Sequence, residues 1–189
     1  MARKNRNYRR KEEGKTDYAR RLELLKSGKT RLVIRKKLNN IIIQFIEYTP
    51  NGDKTIATFT KMNINKLGWK AHGGSRASAY LIGLLAGLKT KSKVKDCILD
   101  LGLQKSIRGS SIYAALKGVL DGGIKVAHSD TILPKEELIR GSNIKAYAEQ
   151  LYQNKERYGR QFSKYLKNNL RPEEFEKHFD EIKNKILAI

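Results

Sequence analysis

A mixed α/β fold is predicted by three features of the sequence. Three short β-like runs lie between Arg31 and Thr60, joined by tight turns. Past Gly73-Gly74 the hydrophobic period changes from that of a strand to that of a helix. Between Val94 and His128 an apolar strand, a helix and a second strand follow one another. Together they predict a mixed sheet: an antiparallel meander plus a βαβ unit, with helices packed on it. A basic N-terminal arm precedes this core and a helical C-terminal extension follows it.

Residues 1–15 read as the arm. Arg3, Lys4, Arg6, Arg9, Arg10 and Lys11 come almost without acids and without apolar periodicity. Such a block cannot pack and self-repels until a polyanion neutralises it, so it is expected to be disordered in the free protein. Asn7 and Tyr8 add amide hydrogen bonds and one stacking ring. A solubilising tail has the same composition; the charge density favours RNA contact. Thr16 or Asp17 can then cap a short helix with Tyr18, Leu22 and Leu25 on one face and Gly28 at its end. Arg20 and Arg21 lie on other faces, and Asp17 and Glu23 are within helical reach of Arg20.

The meander follows. Arg31–Arg35 leads to a polar tip around Lys36, Lys37, Asn39 and Asn40. Ile41–Tyr48 runs into the turn Thr49-Pro50-Asn51-Gly52-Asp53, and Thr55–Thr60 returns. Connections this short favour antiparallel pairing. Ser75 can cap a helix with an apolar face of Ala77, Leu81, Leu84, Leu85 and Leu88; Ala79, Gly83, Ala86 and Gly87 keep it slim, which suits close packing on a sheet. Val94–Leu101 reads as a buried strand. A helix starting at Ser110 or Ser111 buries Ile112, Ala115, Leu116, Val119 and Leu120 and stops at Asp121-Gly122-Gly123. Ile124–His128 completes a right-handed parallel crossover. The core thus spans residues 16–128.

Residues 129–189 read as a helical extension. Ile144, Tyr147, Ala148, Leu151 and Tyr152 form one stripe. Phe175, Phe179, Ile182 and Ile186 form another, opened by Pro172. Between them, Arg157–Lys167 interleaves bases with aromatics. This segment suits either an RNA-stacking surface or a basic helix burying Phe162 and Leu166.

Composition narrows the function. The 189 residues hold 40 Lys+Arg against 19 Asp+Glu, a net charge of +21. Residues 1–40 alone carry 15 Lys/Arg and 4 Asp/Glu, a net +11. With 39% hydrophobic residues the chain can still bury a core. The partner is expected to be a polyanion, nucleic acid before an anionic membrane surface. The longest apolar run, Tyr80–Leu88, is too short to span a bilayer. The charged start lacks the apolar stretch of a secretory signal, and Cys97 has no partner for an internal disulfide, so a cytoplasmic location is expected.

Catalytic chemistry finds little support. His72, His128 and His178 have no metal-ligand spacing. Asp96, Asp100, Asp121 and Asp130 are the one carboxylate set that a metal-dependent nuclease could use, yet Asp96 and Asp100 lie about 13 Å apart along one strand face. Neither a catalytic residue, a metal site, a cofactor nor a small-molecule substrate is expected. Gly73-Gly74-Ser75-Arg76 can hold a phosphate on backbone N–H groups, or simply turn the chain into the helix.

Several stretches resemble one family in order along nearly the whole chain. The most specific runs from Thr16-Asp17-Tyr18 through Leu24-Leu25-Lys26-Ser27-Gly28-Lys29 to Arg35. Pro50-Asn51-Gly52-Asp53, Gly68-Trp69, Ser78–Leu88, Leu99–Leu103 with Gly109-Ser110, and Glu176–Glu181 follow. They resemble large-subunit ribosomal protein family eighteen in its archaeal form. The resemblance implies an α/β sandwich without enzymatic activity. It implies that the protein binds 5S rRNA and fixes it to the large-subunit (23S-type) rRNA in the central protuberance, beside neighbouring ribosomal proteins. It also implies the RNA-facing positions: the arm from Arg3 to Lys11, then Arg20, Arg21, Lys29 and Arg31. The hairpin tip Arg35–Asn40 and the loop Leu103–Gly109, with Lys105 and Arg108, follow on the same ground. Arg76 joins them from its place at the glycine turn. The tip departs from the family, which usually has Ser-Asn-Lys after Arg-Lys where this chain has Lys37-Leu38-Asn39.

Overall fold

A computed structural model of the protein describes residues 7–189. Arg3, Lys4 and Arg6 of the arm lie outside the described residues. The rest of the arm is not featureless: Arg9–Glu12 form one helical turn, α1. Tyr8 before it sets its ring 5.0 Å from that of Tyr18, and Arg10 Nε donates to Thr16 Oγ1 at 2.9 Å. Nothing in α1 is buried, so this turn rests on the surface.

Helix α2 (Tyr18–Lys26) is capped by Asp17, whose carboxylate accepts from the Arg20 backbone N–H. Gly28, at φ +65°, takes the left-handed conformation that ends it. Three strands follow as the expected meander: β1 (Thr30–Lys36), β2 (Ile41–Thr49) and β3 (Gly52–Phe59). A five-residue helix, α3 (Lys61–Asn65), closes the meander with a Thr60–Asn63 capping box; it is too short to show as a period in the sequence. Helix α4 (Arg76–Thr90), strand β4 (Asp96–Asp100), helix α5 (Ser111–Asp121) and strand β5 (Lys125–Val126) complete the core. The sheet order is β3-β2-β1-β4-β5, antiparallel on the β2 side of β1 and parallel on the β4 side.

Because side chains alternate along a strand, β1 has two faces of different chemistry. Leu32 and Ile34 join Ile41, Ile43 and Phe45 of β2 in the apolar core. Arg31, Val33 and Arg35 point to the opposite face. The core face is covered by α4 and α5, which approach so closely that their backbones nearly touch. A Cβ at Gly83 would fall 2.2 Å from the Ala115 carbonyl oxygen, and one at Gly118 would fall 2.2 Å from that of Tyr80. Gly87 and Gly122 meet in the same way. The spacing is four residues on each helix, so the glycines form one stripe per helix. The slimness of α4 therefore serves a helix–helix contact, where the sequence suggested a helix–sheet one: a glycine stripe admits only a partner with a matching stripe, and α5 carries it.

The apolar core also continues past residue 128. After α6 (Glu136–Arg140), α7 (Ser142–Leu151), α8 (Lys155–Gln161) and α9 (Ser163–Lys167), Pro172 opens a short 3-10 turn that leads into α10 (Phe175–Leu187). Phe175, Phe179, Ile182 and Ile186 belong to the same buried cluster as the sheet and α4. Trp69 lies edge-on to Phe175 at 5.7 Å and stacks on His178 at 5.1 Å. The His178 ring accepts from the Lys70 N–H at 3.2 Å, so this end of α10 is fixed by both packing and a hydrogen bond.

Candidate nucleic-acid interface

The polar face of β1 organises the surface on which most of the candidate residues sit. Asp100 of β4 lies beside Val33 in the parallel register, which places it between Arg31 and Arg35 on the same face. It pairs with Arg31 at 3.1 Å and Arg35 at 2.9 Å, and accepts the Gly102 N–H at 2.8 Å. Gly102 turns there at φ +58°, and a Cβ on it would strike the Arg35 guanidinium at 2.9 Å. Arg31 reaches Asp53 at 2.7 Å, and Arg21 of α2 meets the same carboxylate at 2.8 Å. A chain of alternating charges, Arg21–Asp53–Arg31–Asp100–Arg35, thus ties α2 to the sheet. Burial pushes the carboxyls of Asp53 and Asp100 up, but their arginines, and the Gly102 amide at Asp100, more than offset it and hold both below the usual range.

This chain corrects the expected role of Arg31. Its side chain is 3% exposed and its guanidinium is engaged by two carboxylates, so it faces no outside partner. Arg21 and Arg35 are partly exposed and ion-paired, and Lys29 pairs with Asp96 at 2.5 Å. Arg20 uses neither helical acid: its Nη1 donates to the Gly102 carbonyl at 3.4 Å. The apolar residues of α2 do not account for its position, since no residue of α2 is buried and Leu22 is exposed.

The hairpin tip is held on three sides. Gln104 accepts from the Lys36 N–H at 3.0 Å and donates to its carbonyl at 2.7 Å, clasping the tip to the 103–109 loop. Asn40 Oδ1 accepts from the Lys61 N–H at 3.0 Å. Asn39 Oδ1 lies 2.7 Å from His72 Nε2, while His72 Nδ1 accepts the Gly74 N–H at 3.0 Å. An imidazole that accepts at Nδ1 is neutral and donates from Nε2, so both contacts require the same tautomer. Burial, with Lys61, Lys164 and Lys36 nearby, holds the His72 pKa below its ordinary value. A Cβ at Gly73 would meet the Asn39 carbonyl at 2.5 Å and one at Gly74 the Leu38 carbonyl at 2.6 Å, so the two glycines let the hairpin backbone come close to the start of α4.

The side chains of Lys36, Lys37, Lys105 and Arg108 remain exposed around this clasp. Arg76 is half-buried and donates from Nε to the Gly109 carbonyl at 2.8 Å, closing the loop from below. On α1, Arg10 and Lys11 are exposed and Arg9 lies 3.6 Å from Glu13. The tip, the loop and α2 therefore form one basic surface joined by Gln104 and Gly102. Sequence reasoning gives Gln104, Asp53 and His72 no part in this surface. Each acts on a residue at least 20 positions away, and no local spacing marks such a pair.

The carboxylates considered for metal chemistry are dispersed. Asp96 and Asp100 are paired to bases, and Asp121 accepts from the Tyr80 hydroxyl at 2.8 Å. No group of three potential metal ligands occurs among the described residues. Cys97 is buried in β4, where burial raises its thiol to about 12. No helix among the described residues is long and apolar enough to cross a membrane. Of the aromatics in 157–167, Phe162 is buried and the Tyr158 hydroxyl donates to Glu173 at 2.8 Å, while Leu166, expected to be buried, is exposed.

A family model described as ribosomal large subunit proteins 60S L5 and 50S L18 matches residues 2–96 and 88–129. The chain is 45% identical over 183 residues to the large ribosomal subunit protein uL18 of Methanococcus maripaludis, covering 96% of this chain and 95% of that protein. A match of this extent, over a fold whose carboxylates serve to position arginines, shows that the chain belongs to this family of large-subunit ribosomal proteins and is a structural component of the ribosome, not an enzyme.

Proposed function

We infer that the protein binds 5S rRNA and bridges it to the large-subunit rRNA in the central protuberance, through the arm, α2, the hairpin tip and the 103–109 loop. One observation carries the reading. Gln104 and Gly102 bring three segments distant in sequence onto one surface, with Lys36, Lys37, Lys105 and Arg108 exposed on it and Arg20 at its margin. Cations held on a rigid frame contact phosphates at fixed spacing, which lets a protein recognise RNA by shape. The arm adds charge whose spacing is not fixed, so it contributes affinity more than discrimination. Arg31 supports the surface from beneath.

Binding of the full chain to 5S rRNA and to an unrelated structured RNA of equal length, at matched salt, tests this. Affinity for 5S rRNA should be higher by about tenfold or more. Equal affinities would reduce the protein to a general RNA binder.

A further inference from the structure

A second concave surface lies on the other side of the hairpin tip, away from the 103–109 clasp. One wall is the tip itself with His72. The other is the α8–α9 segment, which lies beyond the residues that the family model matches. The groove encloses about 490 Å³, within the roughly 300–1,000 Å³ of pockets that take a small molecule or a single nucleotide-sized group. Lys61, Lys70 and Lys164 line it, and no Asp or Glu does, although the chain has 19 acids. Three cations around an acid-free groove select a negatively charged ligand.

The walls are fixed before any ligand arrives. Asn39 is tied to His72 and the Lys61 backbone to Asn40. Across the groove, Asn168 Nδ2 donates to the Lys70 carbonyl at 2.6 Å. Tyr165, whose ring lies between Phe162 at 6.0 Å and Phe175 at 6.2 Å, also lines the groove. Each asparagine uses one end of its amide in these bonds. The Asn39 NH₂ and the Asn168 carbonyl oxygen are thereby left as one donor and one acceptor in the lining, with Gln161 beside them. An acidic protein surface would need only the lysines. Donor and acceptor amides match the hydrogen-bonding edge of an unpaired base, and Tyr165 beside them adds an aromatic contact. A duplex, whose bases are stacked inside, cannot present an unpaired base edge to these amides.

We propose that the groove between the hairpin tip and α8–α9 binds a single-stranded RNA segment, with phosphates on Lys61, Lys70 and Lys164 and an unstacked base among Asn39, Asn168 and Tyr165. The proposal rests on the RNA-binding reading above but uses a different surface. It gives the C-terminal helices an RNA-binding role.

The test uses the full chain, a labelled oligouridylate of about ten nucleotides and a 5S rRNA transcript. Lys70→Ala/Lys164→Ala removes two exposed groove lysines. Lys89→Ala/Lys125→Ala removes the same charge from exposed lysines outside the groove: Lys89 lies about 20 Å from Arg76 along α4, and Lys125 is in β5. At low salt the groove pair should weaken oligouridylate binding by about five- to tenfold and flatten its salt slope by roughly 1.4, at about 0.7 per contact. The control pair should change it less than about twofold. Melting temperature and 5S rRNA affinity should stay near wild type in both. Equal losses in the two pairs, or no loss in the groove pair, would overturn the groove. Amine acylation of intact large subunits supplies a second readout. Lys70 and Lys164 should be shielded there; shielding combined with unchanged oligouridylate binding would mean that a protein covers the groove, and the RNA proposal would fall. If wild-type protein binds 5S rRNA no better than unrelated RNA, the failure belongs to the proposed function, whatever the oligouridylate does.

Discussion

The two faces of β1 are held by opposite means. On the core face, Leu32 and Ile34 lie beneath two helices whose glycines admit no Cβ between them. On the other face, α2 buries none of its residues and is positioned by the chain from Arg21 to Arg35 through Asp53, Arg31 and Asp100. Close packing is non-directional and indifferent to protonation; a chain of alternating charges is directional and depends on every carboxylate staying ionised. A surface that must present cations at fixed positions can be built from the second kind of contact, because the arginines behind it are neutralised from within.

The largest expected effect comes from breaking the polar side. Asp100→Ala removes one of the two carboxylates facing a buried arginine and should cost about 3–5 kcal/mol in chemical denaturation. A loss below about 1 kcal/mol would mean that the charge chain does not hold that face. On the core side, Gly118→Ala forces a methyl group toward the Tyr80 carbonyl and should cost about 1–3 kcal/mol. An unchanged stability would show that α4 and α5 can part without penalty.

Acid sharpens the contrast. The folded pKa values of Asp53 and Asp100 lie below the ordinary 3.8. Their contribution is therefore fully present above that value and is lost as pH falls through the folded values. This acid limb should shrink in Asp100→Ala and persist in Gly118→Ala; identical limbs in the two variants would contradict the assignment.

A smaller effect belongs to the hairpin tip. His72 is held neutral below its ordinary 6.5, so its contribution is complete above 6.5 and declines as pH falls below it. Protonation at Nδ1 would set two donors against each other at the Gly74 N–H. The His72 ring should titrate by NMR with a midpoint under 6.5, and Gly74 amide exchange should accelerate in the same range beyond its intrinsic change. A midpoint at or above 6.5 would remove His72 from the support of the tip.

What was legible in the sequence follows from how far each signal reaches. The strands of the meander and the caps of α4 and α5 are local patterns, and the structure places them within a few residues of their expected ends. The glycines of α4 were visible, but their partner was not, since a slim face is compatible with a sheet or a helix until Gly118 and Gly122 are seen opposite. The stripe Phe175, Phe179, Ile182 and Ile186 marks a helix face in the sequence; that it completes the main core is not legible there, because a stripe does not say what covers it. Among the candidate site residues that the family resemblance implies, Lys36, Lys37, Lys105 and Arg108 are exposed, as charged side chains ordinarily are. Arg31 looked the same in the sequence and is buried, because its two counter-charges lie 22 and 69 positions away, at Asp53 and Asp100.

The hairpin tip, whose backbone is clasped by Gln104 and whose lysines are exposed, carries the central test. Lys36→Ala/Lys37→Ala should be measured against 5S rRNA across a salt series, with the melting temperature followed in parallel. Melting should be unchanged, affinity should fall at low salt, and the salt slope should become shallower by roughly 1.4–1.8 for two lost phosphate contacts. Unchanged affinity at low salt would show that the tip does not meet the RNA and would contradict the proposed function of this surface.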